Sequence, residues 1–132
     1  MRVYISLGLA VVLGACTFGP SPVPDVSGSW KDEAAAFTTC GETSPVATGL
    51  ELLQTGENLK GTFSLQGNPL TFAGEVKAGK VSGTAKGSGG SLTAALTPQG
   101  ERLVGTFTAA EEIDCTAGGR STTVYDVTLE RR

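Results

Sequence analysis

The chain has 132 residues, enough for one domain with its own hydrophobic core. Its 10 basic and 13 acidic residues give a formal net charge of -3, and the basic residues are scattered apart from the terminal Arg131-Arg132. This pattern argues against nucleic-acid binding, which needs clustered positive charge. The chain contains no histidine, which excludes Ser-His-Asp, Cys-His and the usual zinc-hydrolase sets. We therefore expect a protein that is not an enzyme and needs no cofactor.

The first residues have the pattern of an export signal. Met1-Arg2 is a short positive start, and Val3 to Leu13 is an apolar run too short for a permanent membrane span. The run ends in Leu13-Gly14-Ala15-Cys16, which resembles the lipobox of bacterial lipoproteins. The resemblance implies cleavage before Cys16 and acylation of that residue, with the domain outside the cytoplasm in the bacterial cell envelope. An ordinary secretory signal is the alternative.

Residues 1–15 are thus predicted to be the signal peptide, and residues 16–25 a lipid-anchored linker. The segment TFGPSPVPD, residues 17–25, contains three prolines and one glycine and shows no hydrophobic period, which is typical of a stiff, extended tether. At about 3.1 Å per residue it reaches roughly 25 to 30 Å. This length would hold the domain, residues 26–132, clear of lipid head groups.

The folded part begins with a strand from Val26 to Trp30, in which Gly28 and Trp30 share one face. This Gly-x-Trp resembles the motif on the first strand of lipocalins and avidins, where it closes one end of a small barrel. Arg131, on the predicted last strand, is similar to the arginine that packs on this tryptophan in lipocalins. The resemblance implies a barrel that binds a small apolar ligand, with Gly28, Trp30 and Arg131 at its closed end.

Between Leu50 and Ala109, strand-like runs alternate with glycine turns. A five-residue phrase recurs every 22 residues, as LKGTF from Leu59, VSGTA from Val81 and LVGTF from Leu103. The spacing is typical of short antiparallel strands joined by hairpins and predicts a β-meander. The turn glycines stand 11, 12, 10 and 11 residues apart, at Gly56, Gly67, Gly79, Gly89 and Gly100.

With the first strand and a closing strand from Thr123 to Arg131, the meander gives about eight strands. Apolar side chains occupy one face only, so the sheet must fold over as a sandwich or close on itself. Glycines in the middle of the inward faces favour closure, because a missing side chain permits sharp bending. We predict an all-β fold, an eight-stranded antiparallel up-and-down barrel, with a β-sandwich as the alternative. These glycines are Gly61, Gly74, Gly83 and Gly105.

Two long connections, Asp32 to Ala47 and Glu111 to Thr122, each contain one cysteine. With Cys16 lipidated, Cys40 and Cys115 remain in a compartment where disulfide bonds persist. In an up-and-down barrel the first and seventh connections lie at the same end, so we predict a disulfide bond between them. Two free or metal-binding thiols are the alternative. Three nearby carboxylates, of Glu111, Glu112 and Asp114, are more typical of a solvated loop than of a calcium site, and no metal site is predicted.

Two binding functions remain open. The resemblance to lipocalins implies a small apolar ligand inside the barrel, and inward apolar residues would line its cavity. The alternative is a packed core, with the disulfide-linked rim docking an envelope protein or acting as an inhibitor module. The sequence identifies neither ligand nor partner. The candidate lining residues are Leu50, Leu52, Phe63, Phe72, Ala94, Phe107, Tyr125 and Val127.

We expect the variant Cys16→Ala to be released from membrane fractions, because it lacks the thiol that would carry the lipid. Fractionation of cells expressing the full chain, followed by immunoblotting, measures this. Retention of the variant in the membrane would show that Cys16 is not the anchor.

Overall fold

The computed structural model describes residues 23–132, which form nine β-strands and, within this range, no helix. The predicted signal peptide, Cys16 and linker residues 17–22 lie outside the described residues. The strands are β1 (Gly28–Thr39), β2 (Glu42–Pro45), β3 (Thr48–Thr55), β4 (Asn58–Leu65), β5 (Asn68–Lys77), β6 (Lys80–Gly87), β7 (Gly90–Gln99), β8 (Arg102–Asp114) and β9 (Arg120–Arg131).

The strands form one antiparallel sheet that closes on itself. From β3 to β9 each strand pairs with the next, and β1 pairs with both β3 and β9. The closing β1–β9 pairing runs from Trp30 opposite Arg131 to Thr38 opposite Val124. The predicted eight-stranded antiparallel up-and-down barrel is confirmed, and the chain does not adopt the alternative sandwich.

The short strand β2 is an addition to the predicted eight. It pairs with Ala36–Thr39 of β1, while β3 pairs with Gly28–Lys31. Because Trp30 and Ala36 each also pair with β9, β2 and β3 lie on the same edge of β1, one after the other. The pair β2 and β3 therefore behaves as one interrupted strand of the barrel wall.

The expectation of two long connections is wrong. Strand β1 continues to Thr39 and reverses at Cys40-Gly41, while β8 continues to Asp114 before a short turn. The segment Asp32–Ala36 is rich in alanine and acidic residues, which have low β-propensity. Pairing with β9, which is distant in sequence, makes it a strand. Tertiary context thus overrides the local sequence, and both hairpins become extended β-structure.

The regular spacing of glycines reflects tight two-residue turns. Gln66-Gly67 and Ala78-Gly79 join their strands with both residues at positive φ, as in type I′ turns. These turns match the right-handed twist of the flanking strands, which explains the close succession of hairpins.

The barrel interior is filled at its centre. Phe63 and Phe107 stack with ring centroids 3.9 Å apart, and Phe72 meets Phe107 edge-on at 6.5 Å. All three side chains are at most 1% exposed. Trp30 of β1 and aliphatic residues from the seven strands β3 to β9 complete the core. These aliphatic residues include Leu50, Leu59, Val76, Val81, Leu96, Leu103, Val127 and Leu129.

The inward glycines let neighbouring backbones approach each other. A Cβ atom at Gly61 would overlap the carbonyl oxygen of Glu51, and one at Gly105 would overlap that of Ala95. The same holds at Gly74, against Ser82. Side chains at these positions would force the strands apart, so glycine sets the tight curvature of the wall.

We expect Gly61→Ala to lower the free energy of unfolding by about 2 kcal/mol or more, because the added methyl group has no space. Gly89→Ala is the matched control, since a Cβ atom there meets nothing within 4 Å. Urea unfolding followed by tryptophan fluorescence measures both. Equal midpoints for the two variants would contradict this account of the curvature.

Candidate functional site

The two ends of the barrel differ in structure. At one end the chain enters at Val26, Arg131 ends β9, and three tight turns follow β3, β5 and β7. The other end carries the β1–β2 and β8–β9 hairpins and the turns after β4 and β6. We call these the closed end and the disulfide end.

Trp30 and Arg131 cover the core at the closed end. The guanidinium carbon of Arg131 lies 4.4 Å from the centroid of the Trp30 ring, a cation–π contact. The indole N–H of Trp30 donates to the carbonyl oxygen of Val26 at 2.9 Å. Arg131 also donates to the carbonyl oxygens of Ser27 and Asp25. Gly28, at φ 116°, also belongs to this cluster. A Cβ atom built at this position would lie 3.5 Å from Nη1 of Arg131.

The segment before β1 is fastened to the same end. The side-chain amide of Gln54 donates to the carbonyl oxygen of Pro24 at 2.9 Å and accepts from the backbone N–H of Val26 at 2.8 Å. Hydrogen bonds from the hydroxyl and then the backbone N–H of Ser27 lower the pKa of Asp25. These contacts hold the entering segment against the closed end, where Val26 and Trp30 are 1% and 2% exposed.

Cys40 and Cys115 form a disulfide bond at the opposite end, as predicted, with their Cα atoms 5.7 Å apart. The bond joins the tips of the β1–β2 and β8–β9 hairpins. The backbone N–H of Cys40 also donates to the Ser121 hydroxyl at 3.0 Å, and the Thr123 hydroxyl lies 3.1 Å from that of Thr39. The two hairpins are therefore held together as one wall, here called the hairpin wall: residues 34–46 and 109–125.

A cavity of about 960 Å³ opens between the hairpin wall and the turns after β4 and β6. Its volume falls in the range of small-molecule sites. We call it the cup. Its apolar lining comes from several strands: Phe37, Val46, Leu65, Leu70, Leu92, Ala109, Ile113 and Tyr125.

The aromatic residues of the hairpin wall face the cup as a pair. Phe37 on β1 and Tyr125 on β9 are register partners, and their ring centroids lie 5.9 Å apart. Both side chains are partly buried and line the cup. Together they form an apolar surface that a ligand in the cup can contact.

The structure places one of the eight predicted lining residues, Tyr125, at the cup. The other seven lie deeper, each at most 3% exposed and packed in the core. They form the support below the cup rather than its wall. These seven are Leu50, Leu52, Phe63, Phe72, Ala94, Phe107 and Val127.

The actual lining residues stand at the ends of the same inward faces. Leu65 and Leu70 flank the turn at Gln66-Gly67, and Leu92 follows the turn at Ser88-Gly89. A sequence signal for them exists, since they are the inward apolar residues nearest to a turn at the disulfide end. Phe37 and Ile113 carry no such signal, because both belong to the segments expected to be loops.

Acidic side chains stand on the rim of the hairpin wall. Glu111 and Glu112 both line the cup, and Asp114 lies close to Arg120, with a nitrogen–oxygen distance of 3.3 Å. Within residues 23–132, no three His, Cys, Asp or Glu side chains are grouped so that they could hold a metal ion. Across the same residues, no helix has the length and apolar character needed to span a membrane.

Comparison with known proteins identifies no family for this chain. No protein-family model and no curated protein matches it. Among solved structures, it is similar to a protein of unknown function from the DUF3598 family of Nostoc punctiforme, at 17% identity and a TM-score of 0.43. The similarity covers 84% of this chain and 50% of that protein, so the chain spans half its length.

We expect the double variant Cys40→Ser/Cys115→Ser to lose about 2 to 4 kcal/mol of unfolding free energy, because the bond closes a loop of 75 residues. Urea unfolding of the full chain measures the loss. Wild-type protein treated with reductant serves as control and is expected to match the variant. The same midpoint for oxidised wild type and variant would contradict a stabilising role.

Proposed function

We propose that this protein is a non-catalytic lipoprotein of the bacterial cell envelope that binds a small apolar ligand in the cup. The observation that carries the proposal is the cavity of about 960 Å³ with apolar side chains from both the barrel and the hairpin wall. Ligand sites in proteins are typically concave, mostly apolar and largely preformed. The cup is concave and its lining is mostly apolar.

The packed core supports a site at the rim rather than inside the barrel. The stacked Phe63 and Phe107 rings fill the centre, so a ligand rests above them on Leu70, Leu92 and Tyr125. Leu92 is 7% exposed and Leu70 and Tyr125 are partly buried. An apolar ligand that covers these side chains would remove further hydrocarbon surface from water, which favours binding.

The direction of the cup agrees with anchoring through Cys16. The chain enters the barrel at the closed end, where Pro24 and Val26 are fastened to Gln54. A lipid on Cys16 would therefore hold the closed end toward the membrane. The cup would then open away from the membrane, where a ligand in the surrounding compartment can reach it.

Docking of an envelope protein at the rim is the second candidate. Ile113, at the lip of the cup, is 46% exposed, and β8 beyond Ala109 pairs only with β9. An exposed apolar side chain beside a free strand edge is a feature of protein-binding surfaces. The same cup could thus receive an apolar side chain of a partner in place of a small molecule.

We expect the neutral apolar dye Nile red to bind the cup and to gain fluorescence as it leaves water. Leu70→Gln places an amide in the apolar lining and is expected to weaken binding roughly tenfold. Leu53→Gln is the matched control, because Leu53 is 76% exposed outside the cup, and it is expected to leave binding unchanged. Fluorescence titration measures the dissociation constants, and circular dichroism confirms that both variants fold.

The proposal of a small apolar ligand fails if wild-type protein does not bind the dye. It also fails if Leu70→Gln and Leu53→Gln bind equally well, since the dye would then bind elsewhere. Native mass spectrometry of protein purified from its host complements the titration, because an endogenous ligand would appear as an added mass. The fraction of protein that carries this added mass is expected to be lower for Leu70→Gln than for the wild type.

A further inference from the structure

Charge is distributed unevenly around the cup. Two of the residues that line it are charged, Glu111 and Glu112, and both belong to β8 of the hairpin wall. The opposite side, formed by the turns after β4 and β6, contributes neutral side chains and glycine, including Gln66, Asn68, Ser88 and Ser91. The cup therefore combines an apolar interior with a negative lip on one side.

An irregular stretch of β8 allows both carboxylates to line the cup. Thr108 pairs with Val124 and Glu112 with Thr122, so β8 advances four positions where β9 advances two. Successive residues of a regular strand face opposite sides, but a bulge redirects side chains. Glu111 and Glu112, although adjacent in sequence, therefore both line the cavity.

The negative charge of the lip is only partly compensated. Arg120 lies 3.9 Å from Glu112 and 3.3 Å from Asp114, and its side chain is 62% exposed. Glu111 takes part in no salt bridge within the described chain, and no lysine or arginine lines the cup. Three carboxylates and one arginine thus stand at this rim, so their formal charges of three negative and one positive sum to -2.

The aromatic pair lies on the same hairpin wall. Phe37 and Tyr125 line the cup from β1 and β9, beside the β8 segment that carries Glu111. Aromatic faces attract organic cations through their negative π-surface, and carboxylates attract them by charge. Aromatic rings with nearby carboxylates are a chemistry suited to an amine or a quaternary ammonium group.

From these observations we propose that the cup selects a small amphiphile with a cationic head. The apolar body would occupy the space above Leu70 and Leu92, while the ammonium head would lie at Glu111 and Glu112. The opposite side leaves room for the body and contributes no cationic side chain that would form an ion pair with an anion. This inference rests on the proposed function, because it specifies the ligand class of the same cavity.

Displacement of Nile red by two amphiphiles with the same alkyl chain tests the proposal. Dodecyltrimethylammonium is the cationic probe and dodecanoate the anionic one, each used below its micelle concentration at neutral pH and low salt. We expect the cation to displace the dye at about tenfold lower concentration than the anion. This preference is expected to shrink as salt is added, because the lip is exposed to solvent.

The variant Glu111→Gln/Glu112→Gln removes the negative lip and is expected to bring the ratio of the two displacement constants close to one. Its matched control is Glu57→Gln/Glu75→Gln, which changes the net charge equally at exposed positions near the closed end. The control is expected to retain the preference. Phe37→Leu keeps the site apolar but removes an aromatic face, so it is expected to lower the affinity for the cation more than the affinity for dodecanoate or Nile red.

The outcomes separate the two proposals. If Nile red does not bind, the apolar ligand site itself is refuted. If Nile red binds but both amphiphiles displace it equally, or the anion is preferred, the cup is an apolar site and the cationic selectivity is refuted. An equal loss of preference in the control pair would also refute it, since net charge rather than the lip would be responsible.

Discussion

The pairing of β1 with β9 is the constraint on which the rest of the structure depends. It joins the first and last long strands of a sheet that is apolar on one face, so the sheet can bury that face without a second layer. It also pairs β1 with β9 along edges that would otherwise be open to intermolecular pairing. The same ladder begins at Trp30 and Arg131, which cover the closed end, and extends to Thr38 and Val124 beneath the disulfide bond.

Closure of so few strands leaves little room inside, and the position of the cup follows from this. Backbones at Gly61 and Gly105 meet their neighbours so closely that no Cβ atom fits, and the Phe63–Phe107 stack fills the centre. The cup therefore lies not inside the barrel but where the hairpin wall continues past the turns after β4 and β6. The barrel acts as a solid base, and the added length of β1, β8 and β9 creates the cavity.

Local patterns in the sequence are sufficient to predict the barrel but not the residues that line the cup. Alternation and turn glycines predict the meander. Two cysteines remain once Cys16 is set aside, and the barrel topology places both at the same end, which predicts the Cys40–Cys115 bond. A period of two, however, tells which face a residue occupies but not its depth along the barrel axis, so Phe63 and Leu70 look equivalent. The strand character of Asp32–Ala36 and the bulge in β8 depend on pairing with β9, which no local pattern records.

The acidic residues of β8 have a second physical consequence, which bears on their role at the lip. Beyond Ala109 this strand has a free edge, and charged side chains on an edge discourage pairing with other chains. Protection of an edge needs charge but does not need that charge to line a cavity. The bulge places both Glu111 and Glu112 along the cup, and the disulfide bond holds the hairpin wall that carries them. Because this wall is fixed before any ligand arrives, binding would order few side chains, which lowers its entropic cost.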